Sequence, residues 1–414
     1  MMKKKIRRVK NIISIVMICL MVLTVTNRAI YSGYDIADTE EKEEESVVQS
    51  YPSEIYEWPE VIEPPQVVLP DPVEEEDEEV DIIPSPYVIS LLTGLEIMPE
   101  DYLLRPVAIV INNMHPARPQ SGLSQADIIY EVLAEGNITR LVAIFQAFDA
   151  AKIGPVRSAR DYFIHFALNH DALFVHHGGS DGSYIRLREL GIDRLDGMNL
   201  EGRYFWRDRS YPEWDTQHTG QTRSMEHSSY TSAENIALAS EGYAYRTDTT
   251  GDMGIGFKFR EEGYVQRGSI THEVIIPFAL GYERIFKYNP TENIYEAYNK
   301  DGPHIDENNR ETIEVANIII QMVTSRVIDG EGRRDVGTIG SGTGYLLAEG
   351  YIMPVYWDKE DHFAPTRWYF ENGDDMLLAP GKTWVCVLQE NVQIIYEKIL
   401  NEGGTLSLDP VLYR

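Results

Sequence analysis

Residues 126–148 read ADIIYEVLAEGNITRLVAIFQAF. Two runs rich in Ile, Val, Tyr and Phe flank Glu135-Gly136-Asn137, so the stretch predicts a β-hairpin turning at those three residues. Upstream, RPVAIVINN (105–113) is a continuous apolar run closed by polar residues, the pattern of a strand buried on both faces. The loop between them, MHPARPQSGLSQ (114–125), is broken by Pro and Gly. Downstream comes GPVRSARDYF (154–163). There Pro155 fits the first helical position, and Val156, Ala159, Phe163, Phe166 and Ala167 recur at helical spacing.

DALFVHHGGS (171–180) predicts a short strand running into glycines, and SYIRLRELG (183–191) a short helix closed by Gly191. Residues 199–230, which include NLEGRYFWRDRSYPEW, show no clean period. A loop of that length is functional or mobile. SYTSAENIALASEGY (229–243) supplies a last helix, with Ser229, Thr231 or Ser232 available as its cap. These elements predict an α/β or α+β N-terminal domain with a mixed sheet over 87–245. Short apolar runs separated by turn residues then predict a mostly-β C-terminal domain over 246–395, with a tail at 396–414.

The N-terminus has a different character. Six basic residues precede a run from Ile12 to Thr26 that carries no charge, so residues 1–30 read as a signal peptide or, by preference, an uncleaved signal anchor. Cys19 follows Val16-Met17-Ile18, a poor fit to a lipid-attachment site, and reads as an apolar residue of that run. Residues 31–86 form an acidic, Pro-containing linker. Its core, 35–81, holds 19 Asp or Glu against one Lys and predicts an extended disordered spacer. The remaining residues, 82–414, still carry −18 of the −29 net charge. No dense cationic footprint is present, so nucleic acid is excluded as a partner. Outside the apolar run Cys386 is the one cysteine, so no intrachain disulfide staples the folded part.

RPVAIVINN, ARPQSGLSQADIIYEVLAEGNITRL, IGPVRSARDYF, HHGGS, SGTGYLLAEGY, the Trp357–Lys359 pair and LLAPGKTWVCVL together resemble the YerB family of bacterial envelope proteins, over roughly residues 90–390. The resemblance implies an N-terminal and a C-terminal family domain and an export-linked location. It brings no established reaction. Members of that family usually look like lipoproteins, and this chain departs from them in lacking a lipobox.

The strongest chemical candidate is an anion site. A helix start presents free N–H groups, and Arg157 and Arg160, three apart, would add fork-shaped donors suited to phosphate. Arg140, Arg118 and Arg105 are expected to converge from neighbouring strand ends. The alternative is an Arg157–Asp161 pair on an exposed face. His176 or His177 could enter the site where the strand meets Gly178-Gly179-Ser180, although a hydrogen-bonded structural histidine is the commoner case. Asn112, Asn113 and Asp127 flank the same loop, with Asp127 orienting an arginine, holding a divalent cation or capping a turn. No H-E-x-x-H or paired-Cys motif marks a metal site, no G-x-S-x-G elbow marks a serine hydrolase, and no cofactor is indicated. IGSGTGY (339–345) is expected to be a tight turn opening a hairpin, and Trp357, Trp368 and Trp384 to be core.

Two functions compete on this reading. One is a membrane-anchored extracytoplasmic protein that binds a protein partner or an anionic cell-wall polymer. The other is an enzyme acting on a pyrophosphate- or lipid-linked envelope substrate. The order of Asp127, strand, arginine-rich segment and G-G loop loosely resembles the LytR-CpsA-Psr phosphotransferases in pattern.

Overall fold

The computed structural model describes residues 86–249, 257–261, 264 and 268–396. The expected signal segment, nearly all of the acidic linker and the C-terminal tail lie outside them. Among the described residues no helix is long and apolar enough to cross a membrane.

The longer elements of the N-terminal region are β1 (Val107–Asn112), β2 (Ile128–Leu133), β3 (Thr139–Phe145), α1 (Asp161–Leu168), β4 (Leu173–His176), α2 (Asp181–Glu189), β5 (Arg194–Asp196) and α3 (Ala233–Gly242). The C-terminal region is mostly strand. Its longer strands are β6 (Glu273–Ala279), β7 (Tyr282–Asn289), β8 (Ile294–Asn299), β9 (Asn317–Val323), β10 (Gly340–Ala348), β11 (Tyr351–Lys359) and β12 (Thr383–Gln389), followed by the short β13 (Ile395–Tyr396).

The hairpin read from sequence is β2–β3, with Val132 opposite Arg140 and Ile128 opposite Ile144. Gly136 and Asn137 both take positive φ at its turn. β3 pairs antiparallel with β1, which continues in parallel to β4 and β5. On its other edge β2 runs parallel to β12, and β12 parallel to β9, so strands from both regions form one mixed sheet in the order β11-β10-β9-β12-β2-β3-β1-β4-β5. Short flanking strands bring it to eleven among the described residues.

β1 is buried along its whole length, which explains its unbroken apolar sequence. Ile109 and Ile111 face a core that also holds Phe145, Ile318, Trp384, Val274, Phe286 and Ile236. A second sheet built on β6, β7, β8 and β13 covers that face, together with α3. Ala108 and Val110 face the opposite core with Phe163, Phe166, Leu187 and Trp357, beneath α1 and α2. Trp357, Trp368 and Trp384 are all core, as their setting among β-strands predicts.

Between the two sheets lies a buried polar network. Arg284 on β7 meets Glu131 on β2 through Nε–Oε2 at 2.8 Å, each side chain about 1% exposed. Arg284 also donates to Asn299 Oδ1 (2.9 Å) and His304 Nδ1 (2.8 Å), and His304 Nε2 reaches Gln120 Oε1 (2.8 Å). Glu131 Oε1 further accepts from Asn113 and Thr139. Every member has partners, which is the condition for such groups to lie away from water at tolerable cost.

Two local expectations are corrected. Residues 154–160 are extended rather than helical, with Arg160 as the cap of α1 at φ −125°, ψ 155°. Long-range hydrogen bonds hold that conformation: Val156 N–H to Ser229 O, Arg157 N–H to Val110 O and Ala159 N–H to Gly178 O. The glycines of IGSGTGY lie within β10, not in a turn. A Cβ on Gly344 would stand 2.2 Å from the Ile320 carbonyl oxygen, so the close strand approach explains that glycine.

Candidate functional site

The parallel strands β1, β4 and β5 end on one side of the sheet, at Asn112, His176 and Asp196, where ligands of open α/β sheets commonly bind. Asp196 shapes this end. Its carboxylate accepts from Gly178 N (2.9 Å), Met198 N (3.0 Å) and Tyr184 Oη (2.8 Å), fixing the turn at Gly178, whose φ is +74°. Beyond the turn is a groove of about 570 Å³ lined by Arg157, His177, Gly178, Gly179, Tyr184 and Arg207, among others.

Arg157 is in the groove, paired with Glu226 at 2.9 Å. The Arg157–Asp161 pair that the sequence offered as an alternative is replaced by this longer-range one. Arg207 forms a fork with Glu201 (3.0 and 2.7 Å) and reaches His177 Nε2 at 2.8 Å. Because Arg207 can only donate, His177 accepts at Nε2 and its Nδ1 proton goes to Ser229 Oγ, 2.8 Å away. Burial, and then the Arg207 cation, push the His177 pKa down to about 4. His177 therefore stays neutral near pH 7.

The other predicted residues separate. Arg140 and Arg160 both bind Glu135, with Arg160 Nη2–Glu135 Oε1 at 2.5 Å. Burial alone would raise the Glu135 pKa, but these two cations outweigh it and hold it below its ordinary value. Burial and Arg160 lower Arg140 to about 10. Arg160 also donates to the carbonyl next to it, that of Ala159. Asp161 opens α1 and lies outside the groove lining. Arg105 is committed to Asp193 and Asp171, away from the groove.

Asn112 bonds His227 Nδ1 at 2.8 Å. Asn113 and Arg118 belong to the region of the buried network, Arg118 Nε donating to Asn113 Oδ1 at 3.3 Å. His176 is wholly buried, its Nδ1 2.8 Å from the Gly178 carbonyl, and Ser180 caps α2 by accepting from Ser183 N. Asp127 stands at the far end of the hairpin. Val132 faces Arg140, so Asp127 is five residues, roughly 17 Å, along the strand from it at ~3.4 Å per residue. It accepts from Gln146 N (2.8 Å), and burial raises its pKa to about 6. Arginines and Asp127 thus do not form one phosphotransfer centre.

Sequence reasoning missed Arg207 and Glu201, which belong to the aperiodic stretch after residue 199. The only signal there was the length of the loop and its mix of aromatic and charged residues.

Known proteins match the chain in two blocks. Residues 92–246 match the N-terminal domain of DUF3048, and residues 274–385 match its C-terminal domain, both described as of unknown function. The chain belongs to the DUF3048 family. A relative named "Putative lipoprotein YerB", from Bacillus subtilis (strain 168), is 33% identical over 307 residues, covering 72% of this chain and 86% of that protein. The crystal structure of the YerB protein from Bacillus subtilis superposes with a TM-score of 0.62 at 32% identity, over 73% of this chain and 96% of that one. The DUF3048 blocks include the Arg157 segment and β2–β3 in the first and β9–β11 in the second. The family resemblance read from sequence is therefore correct.

Proposed function

We propose that the protein is a membrane-anchored, extracytoplasmic envelope protein that binds an anionic cell-wall polymer in the groove beside Gly178-Gly179. The observation that carries this reading is the contrast among its arginines. Arg140 and Arg160 are committed to a shared, half-buried carboxylate. Arg157 and Arg207 are paired with Glu226 and Glu201, whose side chains are 55% and 39% exposed. Pairs of that kind are worth only ~0–1 kcal/mol, so a phosphate or carboxylate on a ligand can displace them. Membrane attachment is supported by the charge-free run at 12–26 and by the name of the Bacillus subtilis relative. A protein partner with an acidic segment would use the same two arginines.

Arg157→Ala combined with Arg207→Ala removes both displaceable donors. It is expected to weaken binding of a phosphate-bearing glycopolymer by about 100-fold, taking ~1.5 kcal/mol for each charge-assisted contact. Calorimetric titration at two salt concentrations measures this, with wild-type affinity falling as salt rises. Unchanged affinity in a folded double variant would remove the groove from consideration.

A further inference from the structure

A second pocket, of about 130 Å³, lies apart from the groove and next to the buried network. Arg118, Trp214, Gln217, His218, Asn299 and Asp301 are among its lining. Arg118 enters it with a side chain 15% exposed. Its Nε is held by Asn113 and its Nη2 by Tyr282 Oη at 3.0 Å, while Nη1 comes no closer than 4.0 Å to the Asp301 carboxylate. One edge of a largely buried cation thus faces the pocket with a donor to spare. Burial already lowers the Arg118 pKa, the mark of a cation short of solvation.

His218 has the complementary character. Its Nδ1 is 2.7 Å from Asp215 Oδ2, and its ring is stacked on Tyr211 at 4.1 Å with an interplanar angle of 7°. A carboxylate at Nδ1 holds the proton there and leaves the Nε2 lone pair as an acceptor. Asn299 gives its oxygen to Arg284, so its amide N–H₂ is the part left to donate. The pocket therefore combines a cationic donor, an imidazole acceptor and an amide donor in space for one small molecule.

We propose that this pocket binds a hydroxy acid, with its carboxylate on Arg118 and its hydroxyl donating to Nε2 of His218. Such a group exists both as a free small acid and as an acidic sugar residue of a glycan. Lactate and glucuronate represent the two sources. Glucose, which lacks the carboxylate, is the control.

The test is titration of the full chain with each probe while following the imidazole ¹⁵N resonances of His218. Saturable shifts with glucuronate or lactate, and none with glucose, are the expected result. Binding by glucuronate alone assigns the sugar acid, and binding by lactate alone the free acid. Measured by calorimetric titration, which needs no imidazole signal, His218→Phe keeps the ring stacked on Tyr211 and should weaken binding at least tenfold, whereas Arg157→Ala with Arg207→Ala should leave it intact. That independence separates failure of this proposal from failure of the groove. Absence of a saturable shift with both acids overturns the proposal, as does an equal response to glucose or full affinity in a folded His218→Phe variant.

Discussion

Arg284→Met is expected to lower the unfolding free energy by about 3–5 kcal/mol, measured by urea denaturation. The Arg284–Glu131 pair is about 1% exposed on both sides, and the guanidinium also serves Asn299 and His304 while lying 4.7 Å from the Trp384 ring. Removing the cation strands a carboxylate that water cannot reach. The cost therefore reflects an unpaired buried charge more than a lost attraction. Adding Glu131→Gln should restore at least ~2 kcal/mol, because the neutral amide no longer needs a counter-charge. A loss under ~1 kcal/mol in the single variant would show that water or a proton reaches Glu131. Since Glu131 belongs to β2 and Arg284 to β7, the pair joins the two family domains.

The second large effect is acid sensitivity. Burial holds His170 and His165 down to about 3, with Lys359 adding to the effect at His170 and His362 at His165; His177 is held to about 4. Each has a folded pKa below the ordinary 6.5, so between pH 6.5 and about 4 the unfolded chain binds more protons than the native one. Stability then rises with pH across that window and is lost on acidification. Asp127 acts in the opposite sense: its folded pKa of about 6 exceeds 3.8, so its contribution is present at low pH and lost as pH rises through 6. Buried His304 and His176 are lowered as well, so the protons taken up by the unfolded chain outnumber the one that Asp127 offsets, and the net slope is positive, on the order of a few kcal/mol per pH unit. Urea denaturation at pH 6.5, 5.5 and 4.5 measures it. A slope near zero would show that these histidines protonate in the native state.

How far the fold was legible depended on the range of the forces involved. The β2–β3 hairpin and β1 were readable because β-favouring apolar runs, turn residues and full burial are written locally. Pro155 misled for the complementary reason: the segment is held extended by Ser229, Val110 and Gly178, which no local pattern names. The distance between Asp127 and the arginines was in principle available. A hairpin turning at 135–137 pairs residues equidistant from the turn, which sends Asp127 and Arg140 to opposite ends. Glycines in β10 resembled a turn because close strand approach and tight turning both favour a missing side chain. Arg207, Asp215 and His218 were illegible since an aperiodic loop gives no indication of where its residues go.

The position of β12 has a consequence for biogenesis. Ile128 pairs with Thr383, 255 residues later, so β2 emerges from the ribosome long before the strand that covers its edge exists. At ~5–20 residues per second that wait is about 13–50 s. During it β2 offers an open apolar edge, an invitation to wrong pairing. A chain of this design benefits from being kept unfolded until its last strand is made.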